Sequence, residues 1–228
     1  MADVTVLTAM YGGCDVIRPQ AAQDIDVDWI CVTDDPDLHA PEPWQTILEP
    51  GHYEHPCMSA KRYKLAPNTV TDHEHVIWVD ASMEVTAPEF ARQALDHIHD
   101  GIATWRHPRR DCIYAEAQAS LGAEAQDGKY DALPIAEQVA HYRAEGHPEH
   151  GGLYACGTLA WDTTNPRAQE LGEEWLDECE CWGYQDQISF PVVCRRLGIT
   201  PGVFPHPQIV GRADGALENP WLRIHPHL

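Results

Sequence analysis

The sequence predicts an α/β domain with a mostly parallel central sheet flanked by helices. Three observations carry that expectation. Short apolar runs of strand length, at residues 4–9, 29–33 and 76–79, alternate with longer stretches of helical periodicity. Such alternation produces strand–helix–strand units and parallel pairing. The chain has 228 residues, of which 43% are hydrophobic and 22% charged, which fits one large domain with a packed core.

Residues 4–9 read as a buried strand that ends at Gly12-Gly13. Residues 29–33 form a second strand stopped by Asp34-Asp35-Pro36, and 44–48 a shorter third. A helix is expected over 56–67, with Met58, Tyr63 and Leu65 on its apolar side and Lys61, Arg62 and Lys64 together. Residues 76–79 are the clearest buried strand and run into Asp80-Ala81-Ser82. Pro88 suits a first helical position, and Phe90, Ala94, Leu95 and Ile98 follow at helical spacing. A strand is expected at 101–105. Helices are expected at 111–125, with Asp111 as a cap, and at 134–144, followed by a glycine-interrupted strand at 153–161. Two more helices are expected at 167–180 and 186–197, the second bent or broken at Pro191. Beyond residue 202 the chain is rich in proline and histidine and shows little periodicity. There is no internal repeat, so one domain over 1–228 is expected.

The charge narrows the function. Asp and Glu number 36 against 15 Lys and Arg, a formal charge of −21. Nucleic acid and anionic membranes are repelled by such a field unless a local basic patch overrides it. No apolar stretch reaches the ~20 residues of a membrane span. The N-terminal residues lack signal-peptide character, which predicts a cytoplasmic protein. The eight cysteines follow no disulfide framework and read as reduced thiols, and Cys179 and Cys181 lack the second pair that a structural zinc site needs. The D-x-D of Asp24, Asp26 and Asp28 lies in a solvated acidic run. Dinucleotide, P-loop, nucleophile-elbow and H-E-x-x-H motifs are absent.

Ligands of open α/β sheets bind beyond the carboxyl ends of the strands. Three such ends stand out: Thr8 to Gly12, Thr33 to Asp35, and Asp80 to Ser82. An acid and a hydroxyl two residues apart on an extended chain share one side. They suit a hard divalent cation that keeps waters and phosphates in its other positions; a turn aspartate is the alternative. Trp105, Trp161 and Trp182 are candidates for stacking on sugar rings or for core packing.

Several segments in order carry a resemblance. They are Thr8-Ala9-Met10-Tyr11-Gly12, Thr33-Asp34-Asp35, Ser59-Ala60-Lys61-Arg62-Tyr63-Lys64 and Trp78-Val79-Asp80-Ala81-Ser82. Together they resemble nucleotide-sugar glycosyltransferases of the GT-A fold, a single Rossmann-like domain. The run from His107 to Glu116 and Trp182-Gly183-Tyr184-Gln185-Asp186-Gln187 resemble a bacterial, phage and plant glycosyltransferase group formerly filed as a domain of unknown function. The likeness spans about residues 4–187. Ser82 stands where many GT-A enzymes have a second aspartate.

The resemblance implies transfer of a hexosyl or pentosyl group from a nucleoside-diphosphate sugar, UDP favoured, to an acceptor hydroxyl on a glycan, small molecule or modified nucleic acid. It assigns 1–110 to the nucleotide-sugar and metal half, and 111–228 to the acceptor half and tail. Thr8, Ala9, Tyr11, Asp34 and Asp35 would meet the nucleoside. Lys61, Arg62 and Lys64 would hold the diphosphate. His107, Arg109, Arg110 and Gln187 would contact the donor. Asp80 and Ser82 would hold Mn2+ or Mg2+, with a further ligand from His206, His225 or His227, His225 foremost. Asp186 is the first candidate for the catalytic carboxylate and Glu116 the second, with retention slightly favoured over inversion. Two other readings stay open: a transferase acting on DNA bases, and a non-catalytic module that retains nucleotide or metal binding.

Overall fold

The computed structural model describes residues 3–122 and 129–227. A seven-stranded sheet forms its centre, in the order β3-β2-β1-β4-β7-β6-β8. The strands are β1 (Val4–Met10), β2 (Asp28–Thr33), β3 (Gln45–Leu48), β4 (His75–Val79), β6 (Ile102–Arg106), β7 (Tyr154–Asp162) and β8 (Gly202–Val203). All run parallel except β7, which is antiparallel to both β4 and β6. The predicted mostly parallel α/β sheet is therefore present. β7, from late in the chain, lies between β4 and β6, so the two sequence halves interleave in space.

Side-chain alternation explains why β1 is buried over its whole length. Val4, Val6 and Met10 enter one core, with Trp29, Ile77 and Trp105. Leu7, Ala9 and Tyr11 enter the other, with Val76, Trp78 and Trp161. The first core is closed by α2 (Phe90–Asp96) and by a small antiparallel sheet. That sheet has the order β5-β11-β10-β9, from β5 (Met83–Val85), β9 (Gly211–Ala213), β10 (Ala216–Glu218) and β11 (Leu222–Ile224). The second core is covered by α1 (Pro56–Leu65), α5 (Pro166–Trp182) and α6 (Asp186–Leu197). A third cluster joins α3 (Ile113–Leu121) and α4 (Ile135–Ala144) to Ile188 and Val192 of α6.

Helix starts follow local chemistry. The His55 ring accepts from the Cys57 N–H before α1, and Asn165 accepts from the Arg167 N–H before α5; each helix has proline in its first turn. Gly172 lets α5 approach α1, because a Cβ there would lie 2.2 Å from the Leu65 carbonyl oxygen.

Three expectations need correction. α6 runs unbroken through Pro191, which is buried among Phe190, Val192 and Val193, so packing outweighs the lost backbone bond. α3 starts at Ile113, with Cys112 rather than Asp111 at its cap position; residues 123–125 of that expected helix lie outside the described residues. The tail is not without regular structure, since it supplies β8 to β11. Of the two readings of Trp105 and Trp161, core packing is the one found, at 0% and 2% exposure.

Candidate active site

The carboxyl ends of β1, β2 and β4 lie side by side, as parallel pairing requires. Thr8, Ala9 and Tyr11 are buried at the end of β1, and Tyr11 stacks on Tyr63 of α1 with ring centres 6.2 Å apart. The Gly12 N–H reaches Asp34 Oδ1 at 3.4 Å, which joins the two loops. Asp34 and Asp35 are exposed.

Asp80 follows β4. Its N–H donates to the Gly157 carbonyl of β7 (2.9 Å), and its carbonyl accepts from Met83 N–H (2.8 Å). Its side chain keeps 39% exposure. Oδ1 accepts from Trp78 Nε1 (2.7 Å) and faces Lys64 Nζ (3.4 Å). Oδ2 points to the space over Gly157, where a Cβ would lie 3.1 Å away. Trp78 was missed by the sequence analysis; its spacing of two residues from Asp80 on an extended chain is the signal that places both on one side.

Lys61 and Lys64, three residues apart on α1, share one helix face. Both close on Asp186 Oδ2, at 2.6 and 2.8 Å. Asp186 is the first residue of α6 and is 4% exposed; its carboxylate is an ion-pair partner rather than a cap. Burial alone would push its carboxyl up, but the two ammonium groups outweigh this and bring it down to about 2. Burial would likewise disfavour the Lys64 ammonium, yet Asp186 and Asp80 hold it charged. Lys64 thus bridges the two carboxylates. Arg62 is directed elsewhere, and its charge acts on Tyr53.

Glu116 centres a second polar cluster. It accepts from Arg110 Nε (2.6 Å) and Gln187 Nε2 (3.2 Å), with Gln185 Nε2 at 3.4 Å and His107 Nε2 at 3.7 Å. His107 Nδ1 accepts from the Arg110 N–H (2.9 Å), so Nε2 carries the proton facing Glu116. Burial lowers the His107 pKa more than Glu116 restores it. Arg109 is exposed. Gln185, buried and bonded also to Ser120 Oγ (3.0 Å), was missed by the sequence analysis.

The C-terminal histidines lie at the same end. β11 pairs with β5, and the His225 N–H donates to the Ser82 carbonyl (2.9 Å). The His225 ring meets Glu84 at 2.8 Å, and the His227 ring meets Asp15 at 2.9 Å. The bond that the His227 ring donates to the Asp15 carboxylate raises the His227 pKa. The His206 ring packs on Trp221, 4.5 Å between centres. Among the described residues, no three His, Cys, Asp or Glu side chains come together as an ion site. Residues 80–83 form a turn closed by the Met83 N–H on the Asp80 carbonyl, not the extended run expected, so the pair offers one outward carboxylate oxygen of Asp80 and the hydroxyl of a buried Ser82. That set fits a hard dication that takes its other oxygens from water and phosphate.

Among the described residues no helix is long and apolar enough to cross a membrane. A search among curated proteins finds no match. Among solved structures the chain is similar to the WbbM bifunctional glycosyltransferase in its apo form. The identity is 11% and the TM-score 0.48, over 88% of this chain and 38% of that one. The chain thus spans well under half of that protein's length. A family model described as TOD1/MUCI70, glycosyltransferase-like domain, matches residues 53–206, which include α1, Asp80, Glu116 and Asp186. That match covers more than half of the sequence, and the chain belongs to the TOD1/MUCI70 glycosyltransferase-like domain family.

Proposed function

We propose that this chain transfers a sugar from a nucleoside-diphosphate sugar, with UDP as the favoured nucleotide, to an acceptor hydroxyl, assisted by Mn2+ or Mg2+. The observation that carries the reading is Asp80. It is a half-exposed carboxylate at the end of a central parallel strand, fixed through Oδ1 by Trp78 and Lys64 and open at Oδ2. Asp80 and Ser82 would hold the cation, which supplies charge stabilisation for the departing diphosphate.

The remaining roles belong to the chain. Thr8, Ala9 and Tyr11 provide a floor for the nucleoside, with Asp34 and Asp35 at its rim. Asp186, held near a pKa of about 2, is a weak proton acceptor at neutral pH, and with its charge met by Lys61 and Lys64 it fixes those two ammonium groups in place. Glu116 orients Gln187 and Arg110 beside it. This arrangement favours retention over a base-assisted inversion by Asp186. A duplex-DNA acceptor is disfavoured, because Lys64 is buried and Lys61 is tied to Asp186, so they form no surface strip with Arg109 and Arg110.

The test is thermal unfolding with Mn2+ across a panel of nucleoside diphosphates. Ligand that binds the folded state alone raises the midpoint. A metal-dependent rise with one nucleotide, lost in Asp80→Ala, is expected. A wild-type protein that responds to no nucleotide would overturn the donor site and favour a non-catalytic module.

A further inference from the structure

We propose that the cleft beside Ser82 is a diphosphate-binding site whose cations are Lys129 and Arg212. On this view that cleft, rather than the Lys61–Lys64 face of α1, meets the two phosphates of the donor. The proposal rests on the donor-binding reading above.

The cleft holds about 690 Å3 and is lined by Lys129, Arg212, His225 and His227, with Ser82 and two thiols among its other groups. No Asp or Glu lines it among the described residues. In a chain with 36 acids against 15 Lys and Arg, an acid-free cleft with four basic side chains departs sharply from the average surface. Such a cleft concentrates anions locally although the global field repels them.

The two histidines already face Glu84 and Asp15. Arg212 sits exposed on β9, the edge strand of the small sheet. Lys129 lies over the Tyr130 ring, 5.4 Å from its centre. Neither forms an ion pair among the described residues. Guanidinium and ammonium groups of this kind are what phosphate oxygens recognise. Lys61 and Lys64, by contrast, are 2.6 and 2.8 Å from the buried Asp186 carboxylate, which cancels much of their field outside the protein. Ser82 lines the cleft, and the Asp80 carboxylate, which does not line it, lies close enough to act electrostatically on Lys129 and His227.

The diphosphate can come from a nucleotide or be free pyrophosphate, and the test separates them. Calorimetric titration is run with Mg2+ present and again in EDTA, with inorganic pyrophosphate and with UDP, on wild type, R212A, K129A, K61M and R92Q, and binding counts as absent only where both conditions lack it. Arg92 pairs with Asp24 outside the cleft and controls for lost charge. Wild type and R92Q are expected to bind both probes. R212A and K129A are expected to bind each roughly tenfold to a hundredfold more weakly. Thermal midpoints are read first, and R212A, an exposed edge-strand change, carries the test if K61M does not fold. Binding unchanged in R212A and K129A, or absent from folded wild type, overturns the proposal. Nucleotide-sugar turnover with an unaltered donor KM in R212A also overturns it, while leaving the transferase reading intact. Arg212-dependent pyrophosphate binding without any binding of UDP or nucleotide sugars supports the cleft and removes the transferase reading.

Discussion

Replacing Lys64 by Met tests the charge arrangement under the site. Lys64 is 2% exposed and contacts Asp186 at 2.8 Å and Asp80 at 3.4 Å. Its loss leaves a buried Asp186 carboxylate with Lys61 alone, at 2.6 Å. Breaking a buried pair costs about 3–5 kcal/mol, and the surviving lysine places this case near 3 kcal/mol. For a chain of this size that is a fall in Tm of about 6–12 °C. Replacing both charges by apolar groups of similar volume is often neutral, so Lys64→Met with Asp186→Leu should recover part of the loss if Lys61 is also made Met. Acid titration gives an independent reading. With the Asp186 carboxyl at about 2 rather than 3.8, its ionised form contributes about 2 kcal/mol. That contribution is complete above pH ~4 and is lost as pH falls towards 2. Scanning calorimetry of wild type and K64M from pH 2 to 7 measures both effects. A loss below 1 kcal/mol at pH 7, or a gap between the two proteins that does not narrow in acid, would refute the reasoning.

Three further outcomes are expected. Gly157→Ala places a methyl group 3.1 Å from Asp80 Oδ2 and 2.2 Å from Met83 Cε; the methionine can move, so stability should fall by about 1–3 kcal/mol and the Mn2+-dependent nucleotide shift should shrink, both read by thermal unfolding. Gly172→Ala meets the Leu65 carbonyl rather than a flexible side chain, so it should lower Tm at least as much while leaving nucleotide affinity of the folded protein unchanged in calorimetry. His147 is 7% exposed with both ring nitrogens unpartnered among the described residues, and burial, then Arg195 and Arg196, lower its pKa; the stability of its neutral form holds above pH ~6.5 and declines as pH falls below that, and His147→Phe should flatten this part of a denaturant-midpoint profile between pH 7 and 5.

The parts of the fold legible in the sequence are those whose cause is local. Residues 4–9 and 76–79 are apolar because both faces of β1 and β4 are covered, and Pro166 and Asn165 mark the start of α5. β5 and β9 to β11 were not legible, because segments of three residues carry no periodicity and exist through partners far away, as Met83 pairs with Ile224. Pro191 misled for the same reason, since the burial that overrides it comes from other elements. At the site, Asp80 was visible at the end of its strand. The lysines were visible as a cluster, but not their partner: Asp186 lies more than a hundred residues away, and a helix-face basic cluster looks the same whether it awaits phosphate or already holds a carboxylate.

The pairing of β11 with β5 also bears on how the protein reaches its working form. Ser82 is anchored through its carbonyl to the backbone of His225, and β5 leans on Leu222 to Ile224. During synthesis the Asp80 loop therefore emerges long before the strand that braces it. A nascent chain halted after β7 has most of its central sheet and lacks the strands that wall the cleft beside Ser82. Leu222 is fully buried and β11 joins β5 to β10, so trimming residues 222–227 should lower the thermal midpoint as well as unfasten the Asp80 loop.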